Sequence, residues 1–145
     1  MPTLTKTLFE DLIVAANRLT RLAAQSTGTT TPSAVWRSLS ILTTDGSLRI
    51  GDLAKASRVS QPTMTKLVQN LAEDKLVYRI TDAADSRASL IAITPQGTAA
   101  LIAWREQLGK ALAPMFADLT PTETQVLEHA VKILEQRTHT NRKVA

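Results

Sequence analysis

The stretch from Ser60 to Thr94 leaves this chain few folds to choose from. Met64, Leu67, Val68 and Leu71 recur at i, i+3, i+4 and i+7, the period of a helix with one apolar stripe against a core. Ser60 stands where an N-cap belongs, its hydroxyl free to accept a hydrogen bond from an unpaired amide of the first turn. The opposite face carries Gln61, Thr63, Thr65, Lys66 and Gln69. A face meant only for water is usually rich in Glu and Lys. These shorter and amide side chains instead suit contact with a polar partner.

Two β-prone runs follow, Leu76–Ile80 and Leu90–Ile93, separated by a polar loop, Thr81–Ser89, that holds Asp82, Asp85 and Arg87. Ahead of the helix, Ile50, Leu53, Ala54 and Ala56 mark a shorter helix over Ile50–Ser57, and only Arg58, Val59 and Ser60 separate the two. So tight a connection is what a helix-turn-helix needs. Helix, turn, helix, strand, charged loop, strand is the order of a winged helix-turn-helix. The expected fold class is mainly α, with a small β-hairpin wing.

This region resembles the DNA-binding lobe of the MarR family of bacterial transcription regulators. The family's wing reads roughly D-x-R followed by an apolar strand ending in threonine, and here Asp85, Arg87, Leu90, Ile91, Ile93 and Thr94 fill that pattern. The helix-turn-helix, from Leu53-Ala54 to Ser60, Gln61, Pro62, Thr63, Met64 and Thr65, is also similar to the family's. The resemblance covers almost the whole chain. It implies that the first, fifth and sixth helices of two chains interlock, so that two lobes address half-sites about one helical turn apart on a near-palindrome. It also implies a cleft for small organic molecules, commonly aromatic acids, which Phe9, Trp36 and Trp104 are expected to line. Three positions depart from the family's pattern. Arg49 replaces a capping Ser or Thr, Lys75 stands where glycine would end the helix, and Pro114 falls inside a helical run.

At 145 residues the length is that of one domain with a sizeable core. Within it, residues 1–30 and 95–145 are expected to form a helical dimerisation region around a DNA-binding lobe at 31–94. Aromatics make up only 3% of the chain, so the core must come from Leu, Ile, Val and Ala. The net charge of +4 favours a polyanionic partner. With no cysteine, disulfides, thiolate metal sites and thiol redox sensing are excluded. No apolar run approaches the roughly 20 residues that span a bilayer. The first residues lack a signal-peptide layout, so the expected location is the cytoplasm.

Along the remainder, Leu4, Leu8, Leu12, Ala15, Leu19 and Leu22 predict a helix over residues 3–24, followed by a loop at Gln25–Thr31. Its stripe must be covered, by the C-terminal helices or by a second copy. Thr31-Pro32 is expected to cap and start a second helix, which Asp45-Gly46 ends. Ser47–Ile50 can add a short strand to the wing sheet. Thr94-Pro95 opens a long helix that Pro114 kinks or breaks. Thr120, Pro121 and Glu123 form a capping box for the last helix, which frays after about Arg137.

The chemistry then points to double-stranded DNA. A helix entering the major groove by its N-terminus offers its amides to phosphate and its early side chains to base edges. Ser60, Thr63 and Thr65 suit phosphates. Gln61 can pair with adenine, Lys66 can reach guanine or phosphate, and Pro62 can touch a thymine methyl. Gln69 shares that face. Arg87 is the wing's minor-groove probe, with Asp85 orienting Arg87 or Arg79. His129 and His139 are ten residues apart and lack companions for a metal site, and no catalytic motif occurs. No cofactor, metal or enzymatic activity is expected. The sequence reads as a homodimeric DNA-binding regulator, a repressor released by a small ligand. The alternative is a non-catalytic protein that uses the winged helix to dock a protein partner.

Overall fold

The structure is a computed structural model that describes residues 2–81, 84 and 89–140, with side chains described from residue 5 to 139. It contains six α-helices and three strands among those residues: α1 Pro2–Thr27, α2 Ser33–Asp45, β1 Leu48–Arg49, α3 Ile50–Ser57, α4 Gln61–Glu73, β2 Val77–Ile80, β3 Leu90–Ile93, α5 Pro95–Leu112 and α6 Pro121–Thr140. A 3-10 turn, Ala113–Phe116, follows α5. The chain divides into two compact units, Met1–Ala111 and Leu112–Ala145.

In the first unit, the apolar stripes of α2, α3 and α4 meet the sheet in one core. Leu39, Leu42, Leu53, Ala54, Met64, Val68, Leu71, Val77, Ile91 and Leu101 are all buried there. The sheet is antiparallel in the order β1-β3-β2, with Leu48 opposite Ile91 and Val77 opposite Ile93. Central β3 therefore carries Ile91 into the core, while β1 and β2 flank it. The short strand expected at Ser47–Ile50 is present as β1.

Helix ends follow the local chemistry. Both α3 and α4 close on a left-handed residue, Arg58 (φ 59°) and Lys75 (φ 62°). In each case paired backbone bonds finish the last turn: Val59 and Arg58 donate to Ala54 and Lys55, and Leu76 and Lys75 donate to Leu71 and Ala72. Thr94 caps α5 as expected, accepting from the Gly97 amide at 2.9 Å. Its hydroxyl also donates to the Lys75 carbonyl at 2.6 Å, joining the end of α4 to the start of α5. Gly97 is required at this junction, since a Cβ there would collide with the Leu76 carbonyl oxygen.

Three boundaries differ from expectation. Helix α1 runs on through Gln25–Thr27, because Ser26 and Thr27 donate their hydroxyls back to Leu22 and Ala24 carbonyls within the helix. Pro32, and not Thr31, occupies the cap position of α2, and no side chain caps that helix. The last helix continues past Arg137 to Thr140, with Thr138 bonded back to Leu134.

In the second unit, Pro114 lies in the first turn of the 3-10 segment, after α5 has ended at Leu112. The chain breaks its α-helix there, the outcome that a missing amide and a ring clash impose. The capping box is complete: Thr120 N–H donates to the Glu123 carboxylate at 3.0 Å, and Glu123 N–H donates to Thr120 Oγ1 at 3.1 Å.

Candidate nucleic-acid interface

Helix α4 is held from behind by Met64 and Val68, both fully buried, so its other face is fixed in orientation. Ser60 caps it in an extended conformation (φ −68°, ψ 155°). The Ser60 hydroxyl accepts from the Thr63 amide at 3.3 Å and donates to Thr63 Oγ1 at 2.8 Å. Pro62 sits in the first turn, where a helix has no intrahelical partner for the amide it lacks.

The exposed face then reads Ser60, Gln61, Pro62, Thr63, Lys66 and Gln69. Thr65 differs: it is half-buried, and its hydroxyl donates to the Gln61 carbonyl at 3.0 Å. Gln61 lies over α3, with its Oε1 3.5 Å from where a Cβ on Gly51 would stand. Lys66 has no acidic partner within salt-bridge reach among the described residues. The result is an exposed helix face with hydroxyls, two carboxamides and one cation without an acidic partner among the described residues. Such a set suits a polyanion with hydrogen-bonding edges.

Arg49 precedes α3 without a side-chain cap, as its replacement of Ser or Thr implied, and remains exposed. Asp85 and Arg87 lie outside the described residues. The two strands that lead to them pair in register from Val77–Ile93 to Ile80–Leu90.

A second feature of the first unit is a cleft of about 730 Å³. Trp36 and Trp104 both line it and stack with centroids 4.9 Å apart and planes 9° from parallel. Both indole N–H groups are buried without a hydrogen-bond partner among the described residues. Arg21, Arg37, Arg58 and Arg105 line the same cleft, and no carboxylate does. Arg105 is steadied by Ser40 Oγ at 3.1 Å. Phe9, expected with the tryptophans, is not part of this lining. It is 55% exposed on α1, about two turns before Asn17, the first α1 residue that lines the cleft. The arginines come from four separate segments with no shared spacing, so no sequence pattern links them.

Fold and exposed helix face together define a winged helix-turn-helix protein. Comparison adds that residues 33–89, from the start of α2 to the residue before β3, match the MarR family model. An HTH-type transcriptional regulator of Mycobacterium bovis is 28% identical over 128 residues, covering 88% of this chain and 90% of its own. The homoprotocatechuate degradative operon repressor of Escherichia coli is 28% identical over 97 residues, 67% of this chain and 66% of its own. A MarR family protein from Bacillus stearothermophilus has the same fold at 21% identity, with a TM-score of 0.68 over 95% of this chain and 97% of that one. No helix among the described residues is long and apolar enough to cross a membrane.

Proposed function

We propose that the protein is a homodimeric transcriptional repressor that reads a near-palindromic operator and leaves it when a small organic molecule binds. The observation that carries this reading is the N-terminal face of α4, fixed by its core and exposing Ser60, Gln61, Pro62, Thr63, Lys66 and Gln69 together. Ser60 and Thr63 serve the phosphates. Gln61, whose carboxamide lies over α3 here, would swing out to an adenine edge, Lys66 would reach guanine or phosphate, and Arg87 would enter the minor groove from the wing.

Dimerisation is supported by the exposed apolar side chains of α1 (Leu8, Phe9, Ile13, Val14) and of α6 (Val126, Leu127, Val131), which a second copy would cover. The effector is supported by the cleft. Stacked indoles, two unpartnered N–H donors and four guanidinium groups favour a flat apolar body carrying negative charge. Release is then a population shift: the effector prefers a lobe arrangement that does not match two successive major grooves.

Lys66→Ala tests the DNA-reading face directly. If Lys66 contacts phosphate, the variant weakens binding to all duplexes and lowers the slope of log affinity against log salt by about one. An unchanged affinity and slope would remove Lys66 from the interface.

A further inference from the structure

Arg58 belongs to two features at once. It is the left-handed residue (φ 59°, ψ 43°) that ends α3 inside the helix-turn-helix, and it also lines the Trp36–Trp104 cleft. No other residue of the Arg58–Ser60 turn reaches that cleft. We propose that Arg58 is the positioning residue through which an anion in the cleft acts on the recognition helix. The proposal rests on the effector reading of the cleft given above.

The surroundings of Arg58 decide which way a pull on it is transmitted. Ser57, the preceding residue, is fully buried and its hydroxyl lies 3.0 Å from that of Ser38 on α2. Ser38 in turn donates to the Ala34 carbonyl at 2.7 Å. Leu53 and Ala54 are buried in the core, so α3 is anchored along its inner face. The hold loosens only at Ser60: the Val59 amide still donates to the Ala54 carbonyl at 3.1 Å, and its side chain packs against the core. Val59 is half-buried, and Ser60 is exposed and caps α4. The Arg58 side chain is exposed and has no salt bridge among the described residues. A carboxylate in the cleft gives it a charged partner on the α2 side of the turn. Because Ser57 and Val59 are both held, the displacement falls on Ser60 and so on the first turn of α4. That turn holds Ser60, Gln61 and Thr63, whose alignment with phosphate and base edges the DNA requires. Anion and operator thus favour different settings of one turn, which is the differential affinity that coupling needs.

The chain's two tryptophans both lie in the cleft, so their fluorescence reports its occupancy. The probe is 2-naphthoate, a flat aromatic carboxylate, titrated against the full chain with and without a duplex selected from a random pool. In the wild-type protein its affinity is expected to fall on the order of tenfold when the duplex is bound. Arg58→Gly and Arg58→Asn both tolerate a left-handed backbone. In either, the affinity for 2-naphthoate should become the same with and without DNA. Arg21→Gln removes a cleft guanidinium far from the turn in sequence. It should weaken both affinities equally and keep their wild-type ratio. A wild-type ratio in both Arg58 variants, or an equal loss of ratio in Arg21→Gln, overturns the role of Arg58 and leaves the effector reading standing. Wild-type protein whose fluorescence does not respond, or whose affinity ignores DNA, overturns the effector reading and this proposal with it.

Discussion

Lys75 holds a backbone conformation that glycine adopts freely and lysine does not, yet the chain needs it, because the two bonds that close α4 form only with that residue left-handed. The strain is on the order of 1 kcal/mol for a residue with a Cβ. Lys75→Gly relieves it while making the unfolded chain more flexible, so stability should rise by at most about 0.5 kcal/mol. Denaturant unfolding would show this as a higher midpoint at unchanged slope; a lower midpoint would mean that the lysine side chain contributes more than its backbone costs. Arg58 has the same backbone setting but a side chain in the cleft, so the two left-handed residues serve different ends. At this scale the sequence was legible where chemistry is local. Ser60, Thr94 and Thr120 each cap as their neighbours imply, and Lys75 is strained as its position implies. Thr31-Pro32 reads equally well as a helix start one residue earlier or later, and no side-chain bond fixes the choice.

Among the elements, α6 depends visibly on its first turn. The Thr120 backbone amide and then its side chain hold the Glu123 carboxylate below its ordinary pKa of 4.5. A carboxylate with a depressed folded-state pKa stabilises fully above its unfolded value, and that contribution disappears as pH falls through the lower folded-state value. Glu123→Gln keeps an acceptor for the Thr120 amide but has no charge to lose. Thermal unfolding should therefore show wild type ahead of Glu123→Gln at neutral pH, with the gap closing below about pH 4.5. A gap independent of pH would refute the role of the charge. The helical elements were legible because three- and four-residue apolar steps persist through them, and the break at Pro114 because proline acts on the backbone alone. The cleft was legible only in part. Trp36 and Trp104 stand out in a chain with 3% aromatics, whereas Arg21, Arg37, Arg58 and Arg105 meet only after α1, α2, the turn and α5 have folded together. Phe9 shares only its aromatic type with the tryptophans, and its place on α1 sets it elsewhere.

For the whole molecule, the question is how one reading lobe becomes a regulator. Under the proposed function a single α4 would present Ser60, Gln61, Pro62, Thr63, Lys66 and Gln69 to one half-site. Two-fold pairing of chains would double the contacts and impose a spacing on the DNA. The exposed apolar sides of α1 and α6 are where the proposed pairing would occur, and the wing with Arg87 would extend each half-site sideways. The central claim is that this paired molecule reads sequence, and selection of bound duplexes from a random pool tests it most directly. The winning duplex would then be titrated at two salt concentrations. The account predicts an enriched inverted repeat with half-sites about 10 bp apart, bound tightly at both salts. Recovery of no preferred sequence, with binding that vanishes at the higher salt, would contradict it, because only the general attraction of a basic protein for a polyanion would remain.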